Sequence, residues 1–218
     1  MIPLDILSDP ICPWCHIGKA RLDAAIAATG RDPFTIRWRM FRLNPGMPAE
    51  GMDRRDYLEG KFGGPERAAA TYGQIEKTAR AAGLSPAYDR IARTPNTLDA
   101  HRLIRWAEAE GVQTPVAEQL FHRYLERGED ISERRVLLAV AESVGMDAGV
   151  VGRLLDGDAD RETLEAEEAE ARRMGVGGVP CFVIAGRHVI QGAQDTETWT
   201  RIIGELDAAL AGQEAPAP

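Results

Sequence analysis

Hydrophobic and polar positions alternate from Ile2 to Leu7, with Leu4 and Ile6 on one side, Asp5 and Leu7 on the other, and a stop at Ser8-Asp9-Pro10. This predicts a short strand. From about Pro13 to Ala28 the period lengthens: Ile17, Ala20, Leu22, Ala25 and Ile26 form an apolar side and Gly30 ends it, as a helix would. Phe34 to Phe41 alternates again. Between Pro45 and about Met174 the pattern is helical throughout, punctuated by Gly63-Gly64-Pro65, Gly83, Pro95, Gly111, Gly128, Gly145 and Gly157. Its clearest helices are predicted over 66–82, 97–110, 114–127, 132–144 and 158–174, with Thr97, Ser132 and Asp158 or nearby polar residues as caps. Cys181–Ile184 and His188–Ile190 then read as a hairpin across Ala185-Gly186-Arg187. A last helix is expected from Asp195 to Ala211, and Gly212 to Pro218 has no apolar period and reads as a disordered tail.

Strand, helix, strand, helical block, hairpin, helix is an α/β order in which the two ends make one sheet and the middle lies on it. The expected division is 1–44 plus 171–212 for the discontinuous sheet domain, 45–170 for the helical insertion and 213–218 for the tail. A length of 218 residues with 44% hydrophobic positions is enough for a substantial core. The net charge of -8 argues against nucleic-acid or anionic-membrane partners, which require clustered Lys and Arg. Met1-Ile2-Pro3-Leu4-Asp5 shows no basic segment leading into an apolar run, and no stretch reaches transmembrane length, so the expected location is the cytoplasm. Three cysteines make a poor structural framework in a reducing compartment, and the close pair Cys12 and Cys15 is where chemistry is expected.

The pair falls at the first strand-to-helix junction. A thiolate at Cys12 would face unpaired helix N–H groups and the positive end of the dipole. Pro13 suits the first helical position, and Cys15 is close enough to form a disulfide or to resolve a mixed one. Cys12 is thus expected to be the exposed, low-pKa nucleophile and Cys15 the buried resolving thiol. Pro13-Trp14 supplies no side-chain cation, which points to a middling redox potential, and Trp14 is expected to meet the approaching substrate. The competing reading is a zinc half-site completed by Cys181 with His16 or His188, but the second closely spaced ligand pair usual in structural zinc sites is missing. No metal is therefore expected.

Ser8-Asp9-Pro10-Ile11-Cys12-Pro13-Trp14-Cys15, Gly178-Val179-Pro180 and Gly192-Ala193-Gln194 together resemble the DsbA-like thioredoxin superfamily, and more narrowly its FrnE-like cytoplasmic oxidoreductases. Phe41-Arg42-Leu43-Asn44-Pro45 and Asn96 to Leu103 extend the likeness into the helical block. The resemblance implies a thioredoxin fold interrupted by a large all-α insertion domain, with substrate in the groove between them. It implies a cis Val179-Pro180 bond facing the cysteines, with the Val179 backbone pairing to an extended substrate. Asp5 could then lie beneath the pair as a buried proton carrier, or be a solvated strand-edge carboxylate. By analogy with glutathione-using relatives, Gln194 and Asp195 are ligand candidates, with Asn44 beside them; Asp195 is first an N-cap. Cys181, after the proline, is either a small buried strand residue or a regulatory thiol able to reach Cys12.

The function expected is dithiol-disulfide exchange, as reduction, isomerisation or oxidation, on disulfide-containing or unfolded proteins or on small thiols. No cofactor is implied, and glutathione fits as a co-substrate. Two alternatives stand beside it: a glutathione-dependent isomerase or transferase of the 2-hydroxychromene-2-carboxylate isomerase or kappa class, and a redox-sensing chaperone. The intact pair argues against the first, whose members commonly carry Ser in place of the leading cysteine. His16 reads as a helix-surface residue, His101 as a satisfied structural histidine, Asn96 and Thr97 as caps, and Glu165 to Glu170 as a solvated helix face.

Overall fold

The alternation at the N-terminus becomes strand β1 (Ile2–Ser8), whose Leu4 and Ile6 are buried against helix α1 (Pro13–Thr29). Gly30, at φ 64°, ends that helix in the left-handed conformation a glycine adopts without steric cost. Strand β2 (Phe34–Met40) returns parallel to β1, while β5 (Cys181–Ile184) joins the other edge antiparallel and β6 (His188–Gln191) pairs with β5. The sheet order is β2-β1-β5-β6. The chain is a computed structural model that describes the backbone of residues 1–214 and the side-chain surroundings of residues 1–209.

Helix α9 (Thr196–Glu214) lies beside α1 on one face of the sheet. Its buried Trp199 meets Phe182 edge-on at 4.9 Å and Phe34 at 6.3 Å. The opposite face carries Leu7, Phe41 and Cys181, packed with Ala171 of α8 (Arg161–Arg173) and Val176. The remaining elements form the insertion: β3 (Met52–Asp53), α2 (Arg54–Phe62), α3 (Pro65–Ala81), a 3-10 turn (Tyr88–Arg90), β4 (Arg93–Thr94), α4 (Leu98–Ala109), α5 (Gln113–Phe121) with a π-helical turn after it (His122–Glu126), α6 (Arg134–Ser143) and α7 (Ala148–Asp156).

An edge strand leaves backbone groups unpaired unless something covers them. On β2 that cover is Gln113: Oε1 accepts from Trp38 N at 3.1 Å, and Nε2 donates to the carbonyls of Ile104 and Trp38 at 3.2 and 3.5 Å. The Trp38 indole donates to Thr114 Oγ1 at 2.9 Å. The start of α5 thus serves as a substitute strand and fixes the helical block to the sheet.

The thioredoxin fold with a helical insertion is as expected, with local differences. Helices α2 and α7 escaped the hydrophobic pattern: Leu58 and Phe62 give α2 a thin apolar side, and Gly149 and Gly152 lower the helix propensity of α7. Within the insertion, β3 and β4 form a two-residue antiparallel ladder, and α8 runs through the expected boundary at 170. Thr97 occupies the N-cap position without capping, the Leu98 N–H being taken by Asn96 Oδ1, while Ser132 bonds Asp130 and Asp160, not Asp158, precedes α8. The last helix continues past Gly212 to Glu214; the rest of the expected tail lies outside the described residues. Among the described residues no helix is long and apolar enough to cross a membrane.

Candidate active site

The turn after β1 places Cys12 at the N-cap of α1 with extended backbone (φ -85°, ψ 113°) and Pro13 directly behind it. No side chain caps this helix and no acidic residue occupies its first turn, so the Cys12 sulfur is the polar atom set at the positive end of the dipole. Cys12 O accepts from Cys15 N at 3.1 Å and His16 N at 3.3 Å, which winds Cys15 back toward Cys12. All three cysteines are free thiols. Val179-Pro180 is cis, and Cys12 Sγ donates to Val179 O at 3.7 Å. Gly18 makes this approach fit: a β-carbon there would stand 3.2 Å from Pro180 Cγ and 3.3 Å from Phe182 Cζ.

Cys12 is not exposed as expected; it is 3% accessible and Cys15 2%. The burial comes from the insertion, because α2 and α3 roof the junction and leave a cavity of about 220 Å³ lined by Cys12, Trp14, Leu43, Arg54, Tyr72 and Val179 among others. Trp14 keeps 38% of its surface exposed at the rim. Burial, and then the neighbouring Cys12, push the Cys15 thiol well above its ordinary value.

The buried acid of this site is Asp9, not Asp5. On β1 the residues facing α1 are Leu4 and Ile6, so Asp5 points to the other face, where the parallel register Asp5↔Arg37 brings two cations to it. Its carboxylate accepts from Arg37 Nη2 at 2.8 Å and Arg39 Nε at 2.9 Å. Asp9 is fully buried in the turn before Cys12. Oδ2 accepts from Leu43 N at 2.7 Å and Oδ1 from Ile11 N at 3.3 Å, and the Thr97 side chain also favours the charged form. Burial outweighs these bonds and raises the carboxyl from 3.8 to about 6. The Asp9 backbone N–H faces the Cys15 sulfur, and a charge on Asp9 further disfavours the Cys15 thiolate.

His101 stands over Asp9 with Nε2 3.9 Å from Oδ1, too far for a hydrogen bond, and that buried nitrogen has no partner. It is therefore not the satisfied histidine expected. Burial, with Arg42 nearby, lowers it to about 3. The loop carrying Leu43 is held from α8: Glu168 accepts from the Arg42 backbone N at 2.7 Å and from its guanidinium at 2.8 Å. Glu168 is 2% exposed, so the acidic run is not wholly a solvated face.

His16 is largely buried instead of lying on the surface; it stacks on Phe121 at 5.3 Å, and burial lowers it to about 4. Cys181 pairs in register with Leu7 on the face away from α1, so it packs apart from Cys12 and burial raises its thiol. Its place is that of a small buried strand residue. His188 is exposed on β6, leaving the ligands of the zinc reading dispersed. Asn44 Oδ1 accepts from Tyr57 Oη at 3.0 Å while its buried Nδ2 has no partner. Gln194 bonds Gln191 O at 2.6 Å and Asp195 caps α9 through Thr198 N at 2.7 Å; neither lines the Cys12 cavity. Arg54 had no role in the sequence reading, Asp9 entered it only as part of the turn motif before Cys12, and Glu168 only as a member of the acidic run. The signal available for Asp9 was its place three residues before Cys12, between a strand and a helix.

A four-stranded mixed sheet with a dithiol at the N-terminus of its first helix, opposite a cis-proline, defines a thioredoxin-fold dithiol protein. The chain belongs to the DSBA-like thioredoxin domain family, whose model matches residues 3–204. It is 24% identical over 208 residues to the uncharacterized protein YwbO of Bacillus subtilis (strain 168), covering 94% of this chain and 96% of YwbO. The crystal structure of the probable DsbA oxidoreductase SCO1869 from Streptomyces coelicolor superposes with a TM-score of 0.85 at 29% identity, covering 100% of this chain and 93% of that one. The cytosolic disulfide reductase DsbM from Pseudomonas aeruginosa shares the fold, with a TM-score of 0.66 at 21% identity over 95% and 99% of the two chains.

Proposed function

We propose that this protein is a FrnE-like, cytoplasmic thiol-disulfide oxidoreductase acting through Cys12 and Cys15 on protein or small-thiol disulfides. The observation that carries the reading is the pair itself, two cysteines at the α1 N-terminus with Cys12 opening into a cavity beside Val179. The Cys12 thiolate attacks one sulfur of a substrate disulfide, making a mixed disulfide and releasing the other half as a thiol once it takes a proton. Cys15 then loses its proton and attacks the Cys12 sulfur. The Cys12–Cys15 disulfide forms and the second substrate thiol leaves. A small thiol such as glutathione restores the dithiol, and the reverse sequence donates the disulfide.

Asp9 addresses the difficulty in the second step, which needs a thiolate from a thiol that burial holds protonated. A carboxyl near 6 is mostly ionised at neutral pH and can take the Cys15 proton. Trp14 and the Val179 backbone, both on the cavity, would contact the substrate.

The test is insulin reduction with dithiothreitol or glutathione as donor, comparing wild type with Cys12→Ser, together with the equilibrium potential of the pair. Catalysis lost in the variant supports the reading, and the potential separates reductase from oxidase. An inactive wild type refutes it.

A further inference from the structure

Among the described residues three arginines are buried, and one of them differs from the others. Arg42, 7% exposed, is paired with Glu168, and Arg102, fully buried, is paired with Asp99 and three backbone carbonyls. Arg54, 6% exposed, has only neutral partners among the described residues. Its Nη1 donates to Thr94 Oγ1 at 3.2 Å and Tyr124 Oη at 3.3 Å, and its Nη2 donates to Tyr72 Oη at 2.6 Å. The guanidinium lies 4.9 Å from the Tyr72 ring centroid, and its buried Nε has no partner. Asp53, Glu59 and Asp89 line a second hollow that Arg54 also borders; Asp53 caps α2, Glu59 pairs with Arg55, and among the described residues none of the three bridges to Arg54.

A buried cation without a counter-charge is costly, and a guanidinium is shaped to receive a carboxylate. Arg54 lines the same cavity as Cys12. Among the described residues the charged ones lining that cavity are Arg54 and Lys61, with no Asp or Glu, in a chain of net charge -8. At about 220 Å³ it is smaller than the roughly 300–1,000 Å³ of ordinary small-molecule sites and suits a single group flanking the reacting sulfur.

We infer that Arg54 is the anion-binding group of the substrate site, receiving a carboxylate next to the attacked disulfide, so that acidic disulfides are the preferred substrates. The inference rests on the exchange reading above and adds a substrate class to it. It places the specificity determinant on the insertion, at the first residue of α2, while the reacting sulfurs belong to the sheet domain.

The experiment compares kcat/KM for two disulfide-linked peptides differing only in Asp or Asn beside the cysteine, and for glutathione disulfide against its ethyl ester. Wild type is expected to favour the carboxylate form in at least one pair by about tenfold or more, the scale of one charge-assisted hydrogen bond. Preference in the peptide pair assigns the site to acidic side chains, and preference in the glutathione pair assigns it to small thiols. The ratio should fall toward one in Arg54→Gln and be partly kept in Arg54→Lys. Equal turnover of charged and neutral forms by wild type overturns the inference while leaving the exchange reading intact, and so does an Arg54→Gln enzyme with undiminished preference. No turnover of any of these disulfides overturns both. Should Arg54→Gln not fold, Lys61→Gln decides: a preference left intact there supports Arg54, and a preference abolished there places the anion site at Lys61 and overturns the inference.

Discussion

Replacing Asp9 by Asn removes the one carboxyl that the turn before Cys12 buries completely. In the folded protein this carboxyl is raised from 3.8 to about 6, chiefly because burial penalises its charge. The folded state therefore holds this proton more tightly than the unfolded chain. The resulting stabilisation is fully present below 3.8 and is lost as pH rises through about 6. At about 1.36 kcal/mol per pH unit the whole effect is about 3 kcal/mol, of which about 1.4 kcal/mol disappears between pH 5 and pH 8. Asn cannot ionise, and its single carbonyl can keep only one of the two backbone bonds from Ile11 and Leu43. The absolute stability of the variant thus mixes a gain with a loss, whereas its pH dependence isolates the carboxyl. Urea unfolding from pH 5 to pH 8 should show the variant gaining about 1.4 kcal/mol relative to wild type as pH rises. In single turnover, release of substrate from the Cys12 mixed disulfide should slow and lose its inflection near pH 6. Stability curves that run parallel, or a gap that moves the other way, would refute the buried-acid argument.

The other perturbations test neighbouring parts of the site. His101 is lowered from 6.5 to about 3, so it contributes stability above pH 6.5 that is lost as pH falls; His101→Phe should flatten the acid limb by about 2 kcal/mol between pH 8 and pH 5, and an unaltered slope would count against a neutral buried ring. Gly18→Val pushes a branched side chain against Pro180 and Phe182 and should cost about 1–3 kcal/mol in urea unfolding while slowing exchange; wild-type stability would mean that the α1 to Pro180 contact is loose. Cys181→Ala should keep wild-type kcat/KM and peroxide sensitivity, since this thiol packs with Leu7 and Phe41; loss of either would show that it communicates with the pair.

Local pattern determined a good deal by itself. The pitch of apolar positions set β1, α1, β2 and the closing hairpin, because each is a short-range alternation ended by its own turn residues. The placing of Cys12 and Cys15 at a helix start followed from the same pattern, as did the opposite orientations of Leu4 and Asp5 along β1. Which side of β1 carries α1 was settled only by tertiary packing: Leu4 and Ile6 meet the helix, Asp5 turns to Arg37 and Arg39, and the acid near Cys15 is Asp9. The depth of Cys12 also depends on distant residues, since its roof comes from helices dozens of positions later in the chain. Charge burial is the extreme case. Nothing local distinguishes Glu168 from the other acids of its helix, or Arg54 from Arg55, yet packing encloses one of each and leaves the neighbour in water. Whether a charge is solvated, paired or left waiting for a partner is decided by what the rest of the chain brings around it.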